Sequence, residues 1–210
     1  CWAIGKTGRK DTLMKKFEIR IFLDGRYYVR RISANNSAAA VAALEEKINT
    51  AMEYRIVSVK ELVSKKLYVA YGSNLHLAQM ASRCPDAKVY GSGVIKNYRL
   101  AFYRVASILP EPGAEVPVGV WTISPQDEKN LDRYEGFPHL YRKEIVNVVM
   151  ENGKTVAAMA YVMNRGGMET PPGAAYYNTI HSGYRAFGLD TAYLEKTVKN
   201  IADSWSFAGI

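Results

Sequence analysis

The sequence predicts an α+β fold in two parts, and three observations lead to it. Strand-like runs come grouped and helical patterns come late, unlike the regular alternation of a doubly wound sheet. Two hairpin-type dipeptides, Asp24-Gly25 and Asn152-Gly153, lie between β-prone runs and predict antiparallel pairing. A short polar joint, Val63-Ser64-Lys65-Lys66, separates a small first part from a larger second one. At 210 residues the chain has room for one medium domain or two small ones, and 48% apolar content supplies a sizeable core.

Residues 1–16 are polar and basic, without periodicity, and read as a disordered tail. There is no initiator Met, so the chain reads either as a piece of something longer or as beginning on an added residue, Cys1. No signal-peptide layout is present. From Phe17 the pattern alternates, with Ile19, Ile21 and Leu23 on one face and Glu18 and Arg20 on the other, which is a half-buried strand. Asp24-Gly25 turns the chain and residues 27–32 return as the partner strand. Asn35-Asn36-Ser37 offers helix N-cap chemistry, and Val41, Leu44 and Ile48 recur on one face of a helix over 37–48. Residues 54–59 form a third strand. Residues 17–64 are thus a small ββαβ unit, marginal by itself, with no histidine, no cysteine and no clustered carboxylates with a chemical reading; it reads as a docking or regulatory module.

In residues 65–210, the run 67–71 has the composition of a central strand and ends abruptly in Gly72-Ser73-Asn74. A short helix follows over 75–81. Strands are predicted at 89–95, 98–103, 118–122, 141–149 and 156–163, and helices at 125–135, 174–187 and 191–204.

Composition excludes several functions. No stretch approaches 18 consecutive apolar residues, so no membrane span is expected. The net charge is +8, but +4 of it sits in residues 1–16, with +1 in 17–64 and +3 in 65–210, so nucleic acid is not an expected partner. The two cysteines make no disulfide framework; Cys84 reads as a packing residue in a reduced, cytoplasmic setting. The three histidines and Cys84 lack metal-ligand spacing, and Gly91-Ser92-Gly93 lacks the rest of a dinucleotide fingerprint. Ser73 is not in a Gly-x-Ser-x-Gly elbow. Alternation of Tyr98, Leu100 and Phe102 makes the basic-aromatic stretch 96–104 a core strand rather than a nucleic-acid contact.

Three segments carry chemistry. At Tyr71-Gly72-Ser73-Asn74, glycine lets the backbone turn and lets a ligand approach, and successive backbone N–H groups at a helix start suit a carboxylate. Ser124-Pro125 starts a helix that Gly136 caps, which leaves Glu135 in its last turn. The helix dipole there disfavours negative charge and raises a carboxylate pKa toward neutrality. Pro171-Pro172-Gly173 opens a helix with Tyr176 near its start. Taken singly, each segment reads more readily as structural: a capped turn, a solvated glutamate and a core aromatic.

Taken in order, these segments resemble the gamma-glutamylcyclotransferase-like family. The resemblance rests on Leu67-Tyr68-Val69-Ala70-Tyr71-Gly72-Ser73-Asn74-Leu75, on Val118-Gly119-Val120-Trp121, on Leu131-Asp132-Arg133-Tyr134-Glu135-Gly136 with Tyr141-Arg142, and on the Pro-rich helix start with Tyr176 and Gly183. It spans residues 66–194. It implies a small mixed β-barrel-like fold with flanking helices, and a reaction without metal or organic cofactor. In that reaction the α-amine of a γ-glutamyl group attacks its own γ-carbonyl, releasing 5-oxoproline and an amine. By position, Glu135 is the general acid/base, the backbone of Tyr71, Gly72, Ser73 and Asn74 holds the substrate carboxylate, and Tyr141 and Tyr176 line the pocket. His139, four residues after Glu135, is expected at the pocket mouth. Two alternatives remain open: a non-catalytic binding module for a γ-glutamyl or other carboxylate ligand, and an interaction module acting through the N-terminal unit.

Overall fold

The computed structural model describes residues 14–48, 53–62, 65–164 and 167–207. Contacts divide the chain into two compact units, Cys1–Ser64 and Lys65–Ile210. Cys1 and the rest of 1–13, and Val63 and Ser64 of the polar joint, lie outside the described residues.

In the first unit β1 (Lys15–Leu23) is the middle strand of an antiparallel sheet, flanked by β2 (Arg26–Ala34) and β3 (Tyr54–Leu62). β1 begins at Lys15, inside the run read as tail. Asp24 and Gly25 take the positive φ values, 48° and 73°, that a tight hairpin turn demands. Helix α1 (Ser37–Glu45) starts where the Asn36 side chain accepts the Ala39 N–H at 2.8 Å, and it is shorter than the 37–48 span predicted. Phe17, Ile19 and Ile21 are buried with Ala40 and Leu44, so one face of the sheet carries the unit's core.

The second unit is built on a closed barrel of β4 (Lys66–Ala70), β5 (Lys88–Tyr103), β6 (Val105–Ile123), β7 (Tyr141–Met150) and β8 (Thr155–Met163), in the order β4-β6-β5-β7-β8. Only the closing pair, β4 with β8, is parallel. Helices α2 (Leu77–Arg83), α3 (Pro125–Tyr134), α4 (Ala174–Ala186) and α5 (Thr191–Phe207) complete it. The expectation of an α+β, barrel-like fold with flanking helices is met. The two strands predicted at 89–95 and 98–103 are one long strand, interrupted by a bulge at Asn97 with φ 61°. Its partner β6 is far longer than the predicted 118–122. No helix among the described residues is long and apolar enough to cross a membrane.

β4 ends beside β6 at Ala70, and the chain turns through Tyr71 and Gly72 into a single 3-10 turn, Ser73–Leu75. That turn is pinned by α4. A Cβ on Gly183 would stand 2.4 Å from Leu75 Cβ and 2.7 Å from the Leu75 carbonyl carbon, so only glycine lets the helix seat this closely.

Candidate active site

Three chain segments meet at one end of the barrel. The first is the turn after β4. The Leu75 N–H closes it onto the Gly72 carbonyl and the His76 N–H onto the Ser73 carbonyl, both at 3.0 Å. The backbone N–H groups of Gly72, Ser73 and Asn74 find no acceptor among the described residues.

The second is the end of α3. Ser124 and Asp127 form a reciprocal capping box at its start, with Ser124 Oγ accepting the Asp127 N–H at 3.1 Å and Asp127 Oδ2 accepting the Ser124 N–H at 3.0 Å. At the other end Gly136, φ 62°, permits paired closing bonds: the Phe137 N–H reaches the Asp132 carbonyl at 2.9 Å and the Gly136 N–H reaches the Arg133 carbonyl at 3.3 Å. The helix is thus fixed at both ends, and Glu135 occupies its C-cap with a set direction.

The third is the start of β6. The backbone of Ala106 holds two tyrosines: its N–H donates to Tyr176 Oη at 3.2 Å, and its carbonyl accepts the Tyr141 hydroxyl at 3.0 Å.

These segments enclose a cavity of about 280 Å³. Tyr71, Gly72, Ser73, Asn74, Glu135, Tyr141 and Tyr176 all line it, so the seven residues singled out in the sequence come together. Tyr68, Val105, Tyr134, Leu140 and Tyr161 line it as well and were not anticipated. For Tyr134 the only available signal was adjacency to Glu135, and for Tyr68 its place in the same strand run as Tyr71. His139 does not line the cavity; it is exposed, while its neighbour Leu140 lines the wall. The other histidines have structural partners. His76 Nδ1 accepts the Gln79 N–H at the start of α2, and His181 packs beside Tyr177. Ser73 Oγ shares a hydrogen bond with Tyr134 Oη at 3.2 Å, and no histidine takes part in it. Among the described residues, no group of three His, Cys, Asp or Glu side chains is placed to hold a metal ion.

Asn74 organises the polar side of the cavity. It is buried, at 4% exposure, and its side chain is fully used. Nδ2 donates to Tyr68 Oη at 2.7 Å and to Glu135 Oε1 at 2.8 Å, and Oδ1 accepts from Arg83 Nη1 at 2.7 Å. Its carbonyl accepts the Trp121 indole N–H at 3.1 Å. Glu135 Oε1 is therefore tethered, while Oε2 has no partner among the described residues.

Burial pushes the Glu135 carboxyl up to about 7, against the lowering pull of the Asn74 hydrogen bond and the Arg83 charge. The sequence argument reached the same direction through the helix dipole, but desolvation is the dominant cause. Burial also holds the Tyr68, Tyr71, Tyr141 and Tyr161 hydroxyls well above the usual phenol range. The wall of hydroxyls facing the carboxyl is uncharged. Behind it, Tyr71 donates to the Tyr161 carbonyl, Tyr161 donates to Asp132 Oδ1 at 2.6 Å, and Lys143 Nζ bridges Asp132 and Glu128 at 2.7 and 2.8 Å.

Comparison with known proteins agrees with this geometry. The profile described as "Gamma-glutamyl cyclotransferase, AIG2-like" matches residues 68–184. The gamma-glutamylcyclotransferase of Bos taurus is 29% identical over 143 residues, covering 62% of this chain and 76% of the relative. A solved gamma-glutamyl cyclotransferase structure superposes with a TM-score of 0.59 at 28% identity, covering 64% of this chain and 86% of that one. YkqA from Bacillus subtilis, at 15% identity and a TM-score of 0.57, covers 90% of this chain and 87% of its own, a likeness of fold alone. The matched span runs from Tyr68 in β4 to Tyr184 in α4 and contains every residue that lines the cavity, and on that match the chain belongs to the gamma-glutamyl cyclotransferase, AIG2-like family.

Proposed function

We propose that the Lys65–Ile210 unit is a γ-glutamyl cyclotransferase-type enzyme, with residues 17–64 an accessory domain. The substrate is a small γ-glutamyl amide. Its α-amine attacks the γ-carbonyl carbon, the new C–N bond closes a five-membered lactam, the bond to the leaving nitrogen breaks, and 5-oxoproline and an amine are released. Two protons leave the attacking ammonium and two arrive at the departing amine. One carboxyl group that alternates between its two states can carry them in turn.

The observation that carries this reading is Glu135. Its carboxyl lies on the cavity wall with Oε1 held by Asn74, Oε2 open and a pKa of about 7, so both protonation states are accessible near neutral pH. No nucleophilic side chain is needed, because attack is intramolecular. Well-oriented ring closures reach effective molarities of roughly 10⁵–10⁸ M, and one placed base adds about 10²–10⁴-fold. The free N–H groups of Gly72, Ser73 and Asn74 suit the substrate α-carboxylate, and Tyr141 and Tyr176 bound its space.

The test is mass-spectrometric detection of 5-oxoproline from a mixed library of γ-glutamyl amines. Wild-type protein should release it and Glu135→Gln should not, with thermal unfolding showing that the variant is folded. A folded Glu135→Gln of wild-type activity overturns the role of Glu135.

A further inference from the structure

Outside the cavity, the side chain most tightly built into the site is Arg83, the last residue of α2. It does not line the pocket, yet it ties together two of the elements that do. Its guanidinium lies over the Tyr134 ring, 3.7 Å from the centroid. Nη1 donates to Asn74 Oδ1 at 2.7 Å, and Nη2 donates to Gln79 Oε1 at 2.8 Å. Its own carbonyl accepts Asn130 Nδ2 from α3 at 3.0 Å.

These contacts constrain Asn74 in a specific way. A carboxamide has one accepting end and one donating end, and nothing in Asn74 itself decides which end faces Glu135. Arginine has only donors. With Arg83 on Oδ1, the NH₂ group must face the carboxyl and the Tyr68 hydroxyl. With the amide reversed, Oδ1 would face Glu135 Oε1, a repulsive arrangement for a carboxylate.

We infer that Arg83 is a positioning residue for the general acid/base: it locks the Asn74 amide so that Glu135 is held by one oxygen and presented as a carboxylate. The inference rests on the function proposed above. The other groups facing Glu135 are the hydroxyls of Tyr68, Tyr71, Tyr141, Tyr161 and Tyr176, which burial keeps protonated. Tyr134 carries the guanidinium. Lys143, Glu128 and Asp132 form their own ion-pair cluster beyond Tyr161. Arg83 acts on the Glu135 carboxyl in two ways: its charge lowers the carboxyl pKa directly, and its hydrogen bond to Asn74 Oδ1 fixes the amide that holds Oε1.

The experiment compares wild type, Arg83→Met and Arg83→Lys. For each, kcat and KM for 5-oxoproline release are measured across pH, and the Glu135 carboxyl is titrated by carbon-13 NMR without substrate. Arg83→Met should lower kcat roughly 10- to 100-fold with little change in KM, since the guanidinium does not touch the cavity. It should also move the carboxyl titration upward by roughly one pH unit. Arg83→Lys keeps a point charge but not the planar fork. It should return the titration toward wild type while recovering kcat only in part.

A folded Arg83→Met with wild-type kcat and an unmoved titration overturns the inference, as does an Arg83→Lys no different from Arg83→Met in titration. Should wild type release no 5-oxoproline, the proposed function fails. The carboxyl titration still decides the Arg83–Asn74–Glu135 coupling without substrate: Arg83→Met should move it less in an Asn74→Ala background than in wild type, and an equal shift in both overturns the inference. Arg83→Met that does not fold leaves the decision to Arg83→Lys, whose unchanged kcat and titration would require that the fork is dispensable.

Discussion

A carboxyl kept near neutrality by burial costs the fold stability once it ionises, and Glu135→Gln measures that cost. In the folded state the Glu135 carboxyl is raised from its ordinary 4.5 to about 7. The folded protein therefore holds the proton more tightly than the unfolded chain. The associated stability is fully present below pH 4.5 and is lost as pH rises through about 7. At about 1.4 kcal/mol per pH unit, that interval is worth about 3 kcal/mol. Glu135 is half-buried at an open cavity, and water there reduces the figure to about 1–3 kcal/mol. Glutamine keeps the oxygen that accepts from Asn74 Nδ2 but never ionises. Glu135→Gln should therefore match wild type at pH 4 and exceed it by about 1–3 kcal/mol at pH 8. Guanidinium melts at four or five pH values measure the difference directly. A variant less stable than wild type at pH 8, or a difference that does not change with pH, would show that the carboxyl is not held up by desolvation.

Two further outcomes follow from the packing. Gly183→Ala must place a methyl 2.4 Å from Leu75 Cβ and 2.7 Å from its carbonyl carbon, and backbone cannot yield as a side-chain tip can. Overpacking of about 3 kcal/mol outweighs the helix-propensity gain of about 1 kcal/mol, so the variant should lose about 2 kcal/mol, or roughly 4–8 °C in Tm, and lose activity as the Ser73–Leu75 turn shifts. Cys84, at 1% exposure and with burial pushing its thiol up to about 12, should stay unmodified by iodoacetamide in native protein at pH 8 and react on denaturation, as read at the Cys84 peptide by mass spectrometry.

What could be read from the chain in advance follows the range of the interactions involved. Turns and caps are set by neighbours in sequence. Asp24-Gly25, Asn36, Ser124 and Gly136 accordingly serve where the local chemistry places them. The long partner strand β6 runs well before the predicted 118–122, through Pro110, Pro112, Gly113 and Pro117, residue types that locally favour turns. Strand structure survives there because β4 pairs with β6 only from Gly119 onward, so Pro110 and Pro117 pair with β5 alone. A residue without an N–H is tolerated in a strand with one open side. Asn97 absorbs the mismatch opposite residues 111–114, its Oδ1 accepting the Gly113 N–H at 3.0 Å.

The site itself shows where sequence reading stops. Glu135 and the Tyr71–Asn74 turn could be singled out because each has a recognisable local setting. The reason the carboxyl is useful lies in groups far apart in the chain: Tyr68 on β4, Arg83 on α2, Trp121 on β6 and Tyr161 on β8. Tyr68 and Trp121 stand inside the segments that carry the family resemblance, but as residues they are what any strand core contains, and nothing local assigns a role to any of the four. They acquire one only when barrel closure sets β4 beside β6 and β8 and so brings Asn74 against the end of α3. The dipole argument for Glu135 gave the right direction for this reason: a helix C-terminus and a desolvated wall both disfavour charge, and only the second depends on the whole fold. It follows that variants at Tyr68 or Trp121 should alter catalysis through the orientation of Asn74. Tyr68→Phe tests this most cleanly, because it keeps the ring and removes one acceptor of the Asn74 NH₂. The Asn74 NH₂ has two donors, so the bond to Glu135 stays while the other N–H is left buried without its acceptor and the amide is held less firmly; kcat should fall and the limb of the pH–rate profile near 7 should move to higher pH, whereas an unchanged kcat and limb would mean that Tyr68 does not orient Asn74.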